Sequence, residues 1–340
     1  MHLKRECDAL ALSPVTRRRF LKQAAYSVGA VSAALSLPQA GCAQDQTRSV
    51  VVIAHHPGAT TADGQRVKEP IAKLVDAVVT RLSGETDVAK AWEKYFSSDE
   101  TVGIKVNGLG GPLIATAREL SEVCVERLTG IGVKPEKIII WDSNDDFLRS
   151  CGLNPGRGDW GTQVLPMSVE WDPPLRHGSF NGQVTSIVTK RVDAYLSLPI
   201  MKDHGAAGIT MALKSHYGTI INPADHHRNN CDPYIADVNT IPAIRDKQRL
   251  IICDSTRATC EGGPGFRAEY VWSNNKLLCA TDPVAHDTVG WRLIEAQRKL
   301  KGLPPLEAVG RPPKQIASAA TRGLGTNDPQ QIDVQTMEVT

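Results

Sequence analysis

The residues best equipped for chemistry gather between Lys202 and Asp232. Lys202-Asp203-His204 follows a strand-like run and Pro199, Lys214 and His216 lie on or near the next helix-compatible stretch, and Asp225-His226-His227 sits in the polar loop beyond. Four of the nine histidines fall between His204 and His227. Neutral imidazole is the commonest metal ligand and the usual acid/base group near neutral pH. A lysine can anchor a carboxylate or phosphate, or act as a proton-transfer base once desolvated. His204, Lys202, Lys214 and His216 are therefore the candidate catalytic set, with His204 as acid/base group or metal ligand and the lysines as anion anchors. A cluster of solvated surface histidines would give the same pattern.

A divalent metal would draw on His204, His226, His227 and Asp254, the last at a strand end before Thr256, Glu261 and the run Gly262-Gly263-Pro264-Gly265. No His-x-x-x-His helix pair or Cys/His knuckle fixes such a site, so the cofactor stays unassigned. A second candidate lies at Lys105, Asn107, Gly108, Gly110 and Gly111, between a strand and a helix, where glycines let backbone N–H groups approach an anion. This is neither a dinucleotide fingerprint nor a Walker loop, and it also reads as a tight strand-to-helix turn. Asp142 with Asn144 marks another strand end, while Asp282 before Pro283 reads as a helix N-cap.

Several elements must position these residues. Ser49 to Ala54, Thr101 to Val106, Lys137 to Trp141, Val184 to Thr189, Ala194 to Leu198, Leu250 to Cys253 and Lys276 to Ala280 read as strands. Ile71, Leu74, Val75, Val78 and Leu82 recur at helical spacing after Pro70. Further helices are expected at Asp87 to Phe96, Ala115 to Leu128, Ile209 to His216, and after Asp282. Strands alternating with helices predict an α/β fold, a largely parallel or mixed sheet with flanking helices. Residues 151–182, rich in Gly and Pro, are expected as a surface excursion and a dividing line between two lobes, and the tail after Arg311 as a surface wrap. In such folds ligands bind where strands end and helices begin.

Residues 1–43 read as an export signal, leaving 44–340 as a single large domain. Lys4, Arg5, Arg17, Arg18, Arg19 and Lys22 face only Glu6 and Asp8, an apolar stretch runs from Ala24 to Leu37, and small residues follow at Gly41-Cys42-Ala43. That stretch falls short of the roughly 20 apolar residues a spanning helix needs, so no stable membrane span is expected. Thr16-Arg17-Arg18-Arg19-Phe20-Leu21-Lys22 resembles the twin-arginine consensus. The resemblance implies handling by the twin-arginine translocase and a periplasmic or otherwise exported protein. Lipid anchoring at Cys42 is disfavoured, because Gln39 stands where a lipobox has Leu. The 340 residues carry a formal charge of only +2. With the basic leader set aside, the body is slightly acidic, which argues against a nucleic-acid partner. Six cysteines lie beyond the leader, with no Cys-x-x-Cys pair, so an iron–sulfur cluster is not expected. In an oxidising compartment they permit disulfides, with Cys253 and Cys260 the first pair to test and Cys124 expected buried and inert.

The chain resembles the domain-of-unknown-function 362 family. The carrying segments are Val102-Gly103-Ile104-Lys105-Val106-Asn107, Leu198-Pro199-Ile200-Met201-Lys202-Asp203-His204, and Gly208-Ile209-Thr210-Met211-Ala212-Leu213-Lys214 closed by Gly218. Cys253-Asp254, Gly262-Gly263-Pro264-Gly265 and Asp282-Pro283-Val284-Ala285-His286-Asp287 follow in the family's order. Lys214-Ser215 stands where the family usually has Lys-Asn, and His286 where an apolar residue is customary. No general activity comes with that resemblance. A fainter similarity leads toward nickel-pincer lactate racemases, which would imply an anionic cofactor and an isomerase acting on a 2-hydroxy acid. The expectation is an exported enzyme acting on a small anionic molecule through Lys/His acid-base or metal chemistry. The alternative is a non-catalytic periplasmic protein that binds a metal or metabolite.

Overall fold

Short β-branched runs with alternating partners build the sheet. The computed structural model describes residues 48–340 apart from residue 157; the export-signal expectation falls outside them. The chain starts with β1 (Ser49–His55), α1 (Lys68–Ser83), α2 (Val88–Glu93), β2 (Val102–Lys105), α3 (Arg118–Gly130), β3 (Ile138–Asp142), α4 (Asp145–Ser150) and β4 (Gln163–Pro166). A small hairpin, β5 (Leu175–His177) and β6 (Phe180–Gly182), precedes β7 (Ala194–Ser197), β8 (Ile200–His204), β9 (Gly208–Thr210) and α5 (Ala212–Ser215). Then come α6 (Tyr234–Asn239), α7 (Pro242–Arg245), β10 (Gln248–Thr259), β11 (Val271–Ala280), α8 (Pro283–Leu300), α9 (Lys314–Thr321) and β12 (Ile332–Glu338).

The main sheet has ten strands, in the order β12-β1-β11-β10-β7-β2-β3-β4, with β8 beside β10 and β9 beside β8. Pairing is parallel from β10 through β7, β2, β3 and β4, and antiparallel where β11 meets β1 and β10. The fold is α/β with a mixed sheet and flanking helices. Because side chains alternate along a strand, Val52, Ala54, Ile138, Ile140 and Leu277 join one core while Val51, Ile53, Ile139, Trp141 and Leu278 join the other. Helix α1 covers the first through Ile71, Leu74, Val75 and Val78. Helix α8 covers the second through Val284, Ala285, Val289 and Ile294. Burying each such side chain contributes roughly 1.5–3 kcal/mol.

One irregularity positions the site. Strands β7 and β8 both lie parallel to the long strand β10, β7 along its first half and β8 along its second. The break falls at Leu198-Pro199, where the Pro199 carbonyl accepts from Asp254 N at 2.8 Å. Strand β8 then doubles back through Gly205-Ala206-Ala207 into β9, facing Thr210 opposite Lys202.

Several expectations are corrected. The segment at Ile209 to His216 is a strand followed by a short helix, because Thr210 is spent on the β8 ladder. Ile187–Arg191 is a π-helix where a strand was expected. Residues 151–182 hold β4, which closes the sheet edge, rather than only a surface excursion. The tail holds α9 and β12, and β12 pairs with β1 along its whole length. The six cysteines from Cys124 onward are all free and buried. Cys253 and Cys260 stand along one extended run, seven residues and therefore roughly 20 Å apart, far beyond disulfide reach.

Candidate functional site

Strand alternation sorts Lys202-Asp203-His204 into two faces. The Asp203 carboxylate accepts from Gly263 N (3.0 Å), Thr259 Oγ1 (3.0 Å) and Arg311 (3.1 Å), which ties down the loop after β10. On the other face the Lys202 amine donates to Asn107 Oδ1 at 2.8 Å and to the Leu109 carbonyl. Burial pushes that amine down to about 7. Lys202 thus fastens the loop after β2 instead of reaching into open space. His204 Nδ1 accepts from the amides of Ala206 (3.0 Å) and Ala207 (3.1 Å). Its ring proton therefore sits on Nε2, as the partners assign it. Burial, with Lys214 next in effect, drives the imidazole down to about 2, so it stays neutral.

At the ends of β2 and β3, Lys105 and Asp142 form a buried ion pair of 2.8 Å. The second Asp142 oxygen accepts from Gly108 N at 2.7 Å. Gly218 lies directly over this pair: a Cβ there would stand 2.6 Å from Asp142 Oδ1 and 2.7 Å from Lys105 Nζ. Lys105 is consequently neutralised, not a free anion anchor. In the glycine run, the amide of Gly108 is given to Asp142 and that of Gly111 to the Gly108 carbonyl (3.3 Å). A Cβ on Gly110 would strike the Pro264 carbonyl at 2.4 Å. The run behaves as a tight turn, with two donors of the expected anion cradle already spent.

Lys214 projects from α5, whose first amides are capped from afar: Asp287 on α8 accepts from Ala212 N (2.9 Å) and Leu213 N (3.0 Å). The Lys214 amine lies 3.3 Å from His227 Nε2 and 4.0 Å from the centre of the Tyr217 ring. His227 Nδ1 donates to the Pro223 carbonyl at 2.9 Å, leaving Nε2 as an acceptor for the amine. No carboxylate lies within ion-pair distance of Lys214 among the described residues, and burial pushes its amine down to about 8. The rings of His204 and His227 stack at 5.6 Å.

These groups line a cavity of about 240 Å³ beside Asn107, Phe147, Thr210, Ser215 and Gly218. It opens at the carboxyl ends of parallel strands, the position ligands favour in open α/β sheets. Its walls offer donors in excess of acceptors. The hydroxyls of Thr210 and Ser215 are sealed behind the wall, without a partner and without surface open to the cavity. His204 Nε2–H and the Asn107 amide nitrogen also lack protein acceptors among the described residues. Asp142, the lining carboxylate, is matched by Lys105 and Gly108 N. Phe147, Tyr217, Leu109 and Pro223 supply an apolar side.

Not every expected residue arrives. Two residues along a helical turn point to different sides, and His216 turns away from the cavity to Tyr195 (3.3 Å) and Gln248 (3.1 Å), where burial pushes its ring down to about 4. His226 packs its ring between Phe180 and Tyr234. Asp254 is consumed by Ala117 N (2.8 Å) and Thr256. His204, His226, His227 and Asp254 therefore do not converge, and no three His, Cys, Asp or Glu side chains among the described residues are placed to hold a metal ion. Sequence reasoning missed Thr210, Ser215, Tyr217 and Asp287 as parts of the site. For Asp287 the only cue was its place in the Asp282-to-Asp287 block, since its partners lie 74 and 75 residues away.

Fold and site together define an α/β protein with a donor-rich cavity at the ends of its parallel strands. The chain belongs to the domain-of-unknown-function family DUF362, whose model matches residues 102–292, more than half of its length. The match runs from the start of β2 into α8 and so includes the lysine and histidine residues that line the cavity. No curated protein matches the chain. Among solved structures it is similar to a Thermotoga maritima protein whose crystal structure came from a structural-genomics consortium. That likeness has 11% identity and a TM-score of 0.40, covering 70% of this chain and 60% of the other. The chain thus spans about 60% of that protein's length. No described helix is long and apolar enough to cross a membrane.

Proposed function

We propose that the chain is an exported enzyme that holds a small carboxylate-bearing molecule in this cavity and transfers a proton with the Lys214–His227 pair. The observation that carries the reading is a cavity that Lys214, with no carboxylate in ion-pair distance among the described residues, shares with two donors, His204 Nε2–H and the Asn107 amide, that have no protein acceptor among them. An anionic ligand would satisfy His204 Nε2–H and the Asn107 amide together. The apolar side would take the ligand's hydrocarbon part. Neutral His227, held in one tautomer by Pro223, accepts a hydrogen bond from the Lys214 amine, and burial lowers that amine to about 8, so an unprotonated fraction is present near neutral pH to act as a base. The basic leader and its apolar stretch support export.

Thermal unfolding with acetate, malonate, lactate and pyruvate, against chloride at equal ionic strength, tests the reading. A ligand at 100 times its Kd stabilises by about 2.7 kcal/mol, so at least one carboxylate is expected to raise Tm. His204→Asn removes the Nε2 donor while an Asn oxygen can still accept the Ala206 and Ala207 amides; it is expected to abolish the shift. Equal Tm in every carboxylate and in chloride would sink the proposal.

A further inference from the structure

We propose that Lys214 is a covalent nucleophile: its amine forms an imine with the carbonyl carbon of a small 2-oxo acid whose carboxylate is held by the cavity's unpartnered donors. The proposal rests on the anion-binding reading and adds the substrate class.

Three features of the geometry carry it. The Lys214 amine is at the cavity wall, with the Tyr217 ring on one side and the His227 Nε2 lone pair on another, and no carboxylate within ion-pair distance among the described residues. Lys105 and Lys202 are excluded from this role: the first is bound to Asp142, the second to Asn107 and Leu109. The donors of His204 and Asn107 line the same cavity as Lys214, so a carboxylate resting on them is held in the space the amine faces. A 2-oxo acid of three or four carbons is also of a size that a cavity of about 240 Å³ admits.

The chemistry balances without an oxidant or reductant. The neutral amine adds its electron pair to the carbonyl carbon; the C–N bond forms as the C–O π bond breaks, and the oxygen takes a proton from solvent water. His227 Nε2 accepts one of the two amine protons and returns it to the carbinolamine oxygen. The C–O bond then breaks, water leaves, and a protonated imine that keeps the second amine proton remains, balanced by the hydroxide left in solvent. The neutral Nε2–H of His204 donates a hydrogen bond to the bound anion or its carbonyl throughout, without itself ionising. Such desolvated lysines beside an uncharged partner are the ones able to form Schiff bases.

Trapping tests this on the full chain. Pyruvate with sodium cyanoborohydride at pH 8 reduces any imine to a stable secondary amine, which intact mass and peptide mapping locate. The expected result is one adduct per chain at Lys214, forming about tenfold faster than at any surface lysine. It should be slowed by excess lactate, which has the same shape without the carbonyl, and absent in Lys214→Arg. Adducts spread evenly over surface lysines would overturn the proposal. A Tm rise with pyruvate but no adduct at Lys214 would overturn the imine and leave anion binding standing. Neither a Tm rise nor an adduct would overturn both. The wild-type result decides the matter even if Lys214→Arg does not fold.

Discussion

The amine of Lys214 lies 3.3 Å from Nε2 of His227, and the Pro223 carbonyl fixes which way the proton between them runs. With Nδ1 occupied as a donor, Nε2 can only accept, so the lysine is paired with a base instead of an acid. Lys105 is also fully buried, yet it faces Asp142 and is held as half of an ion pair. One fold therefore contains a lysine paired with a carboxylate and another paired with an imidazole.

Lys105→Met would leave the Asp142 carboxylate buried with only Gly108 N for company. Breaking a buried pair from one side costs about 3–5 kcal/mol, and urea unfolding is expected to show a loss of that size. The double variant Lys105→Met/Asp142→Leu is expected to regain much of it, because neither charge is then stranded. A single variant as stable as wild type would show that the pair carries no such role.

Gly218→Ala tests the close approach above that pair. The added methyl would need space 2.6 Å from Asp142 Oδ1, and overpacking of this kind costs about 1–3 kcal/mol. Stability is expected to fall by that amount and carboxylate binding to weaken, since Gly218 also lines the cavity. Unfolding curves and ligand-induced Tm shifts check both halves.

Acid stability depends on the buried histidines. In the unfolded chain a histidine takes a proton below about pH 6.5, whereas folded His216 stays neutral down to about 4. Between those values the unfolded state binds the extra proton, so stability is fully present above the window and falls as pH drops through it. The slope is about 1.4 kcal/mol per pH unit for one such group. His216→Gln removes that share, and urea unfolding from pH 6.5 to 4.5 is expected to show a shallower decline than wild type. Parallel curves would contradict the assignment.

Local pattern made part of this legible in sequence. Ile71, Leu74, Val75 and Val78 declared α1, the Ser49 and Lys137 runs declared β1 and β3, and Asp282 declared the cap of α8, where it accepts from Val284 N and Ala285 N at 2.8 Å. Lys202, His204, Lys214 and His227 were recognisable by residue type. What stayed hidden depends on partners distant in the chain. Lys105 and Asp142 are 37 residues apart, so nothing local distinguishes a paired lysine from a free one. His216 lies two residues from Lys214 but turns to the opposite side, and Thr210 gained its role only when β9 folded back on β8. Strand β12 read as tail because only Ile332 of its seven residues is buried, and its pairing with β1 makes it part of the sheet.

The most direct measurement is calorimetric titration of pyruvate into wild type and into His204→Asn. An Asn oxygen can still accept the Ala206 and Ala207 amides while the cavity-facing ring N–H is lost, so the exchange is expected to leave the fold intact. Each hydrogen bond to a charged ligand contributes about 1.5–3 kcal/mol, so affinity is expected to fall by at least about tenfold from a saturable, one-per-chain binding in wild type. No saturable binding to wild type, or equal affinity in His204→Asn, would contradict a carboxylate site in this cavity.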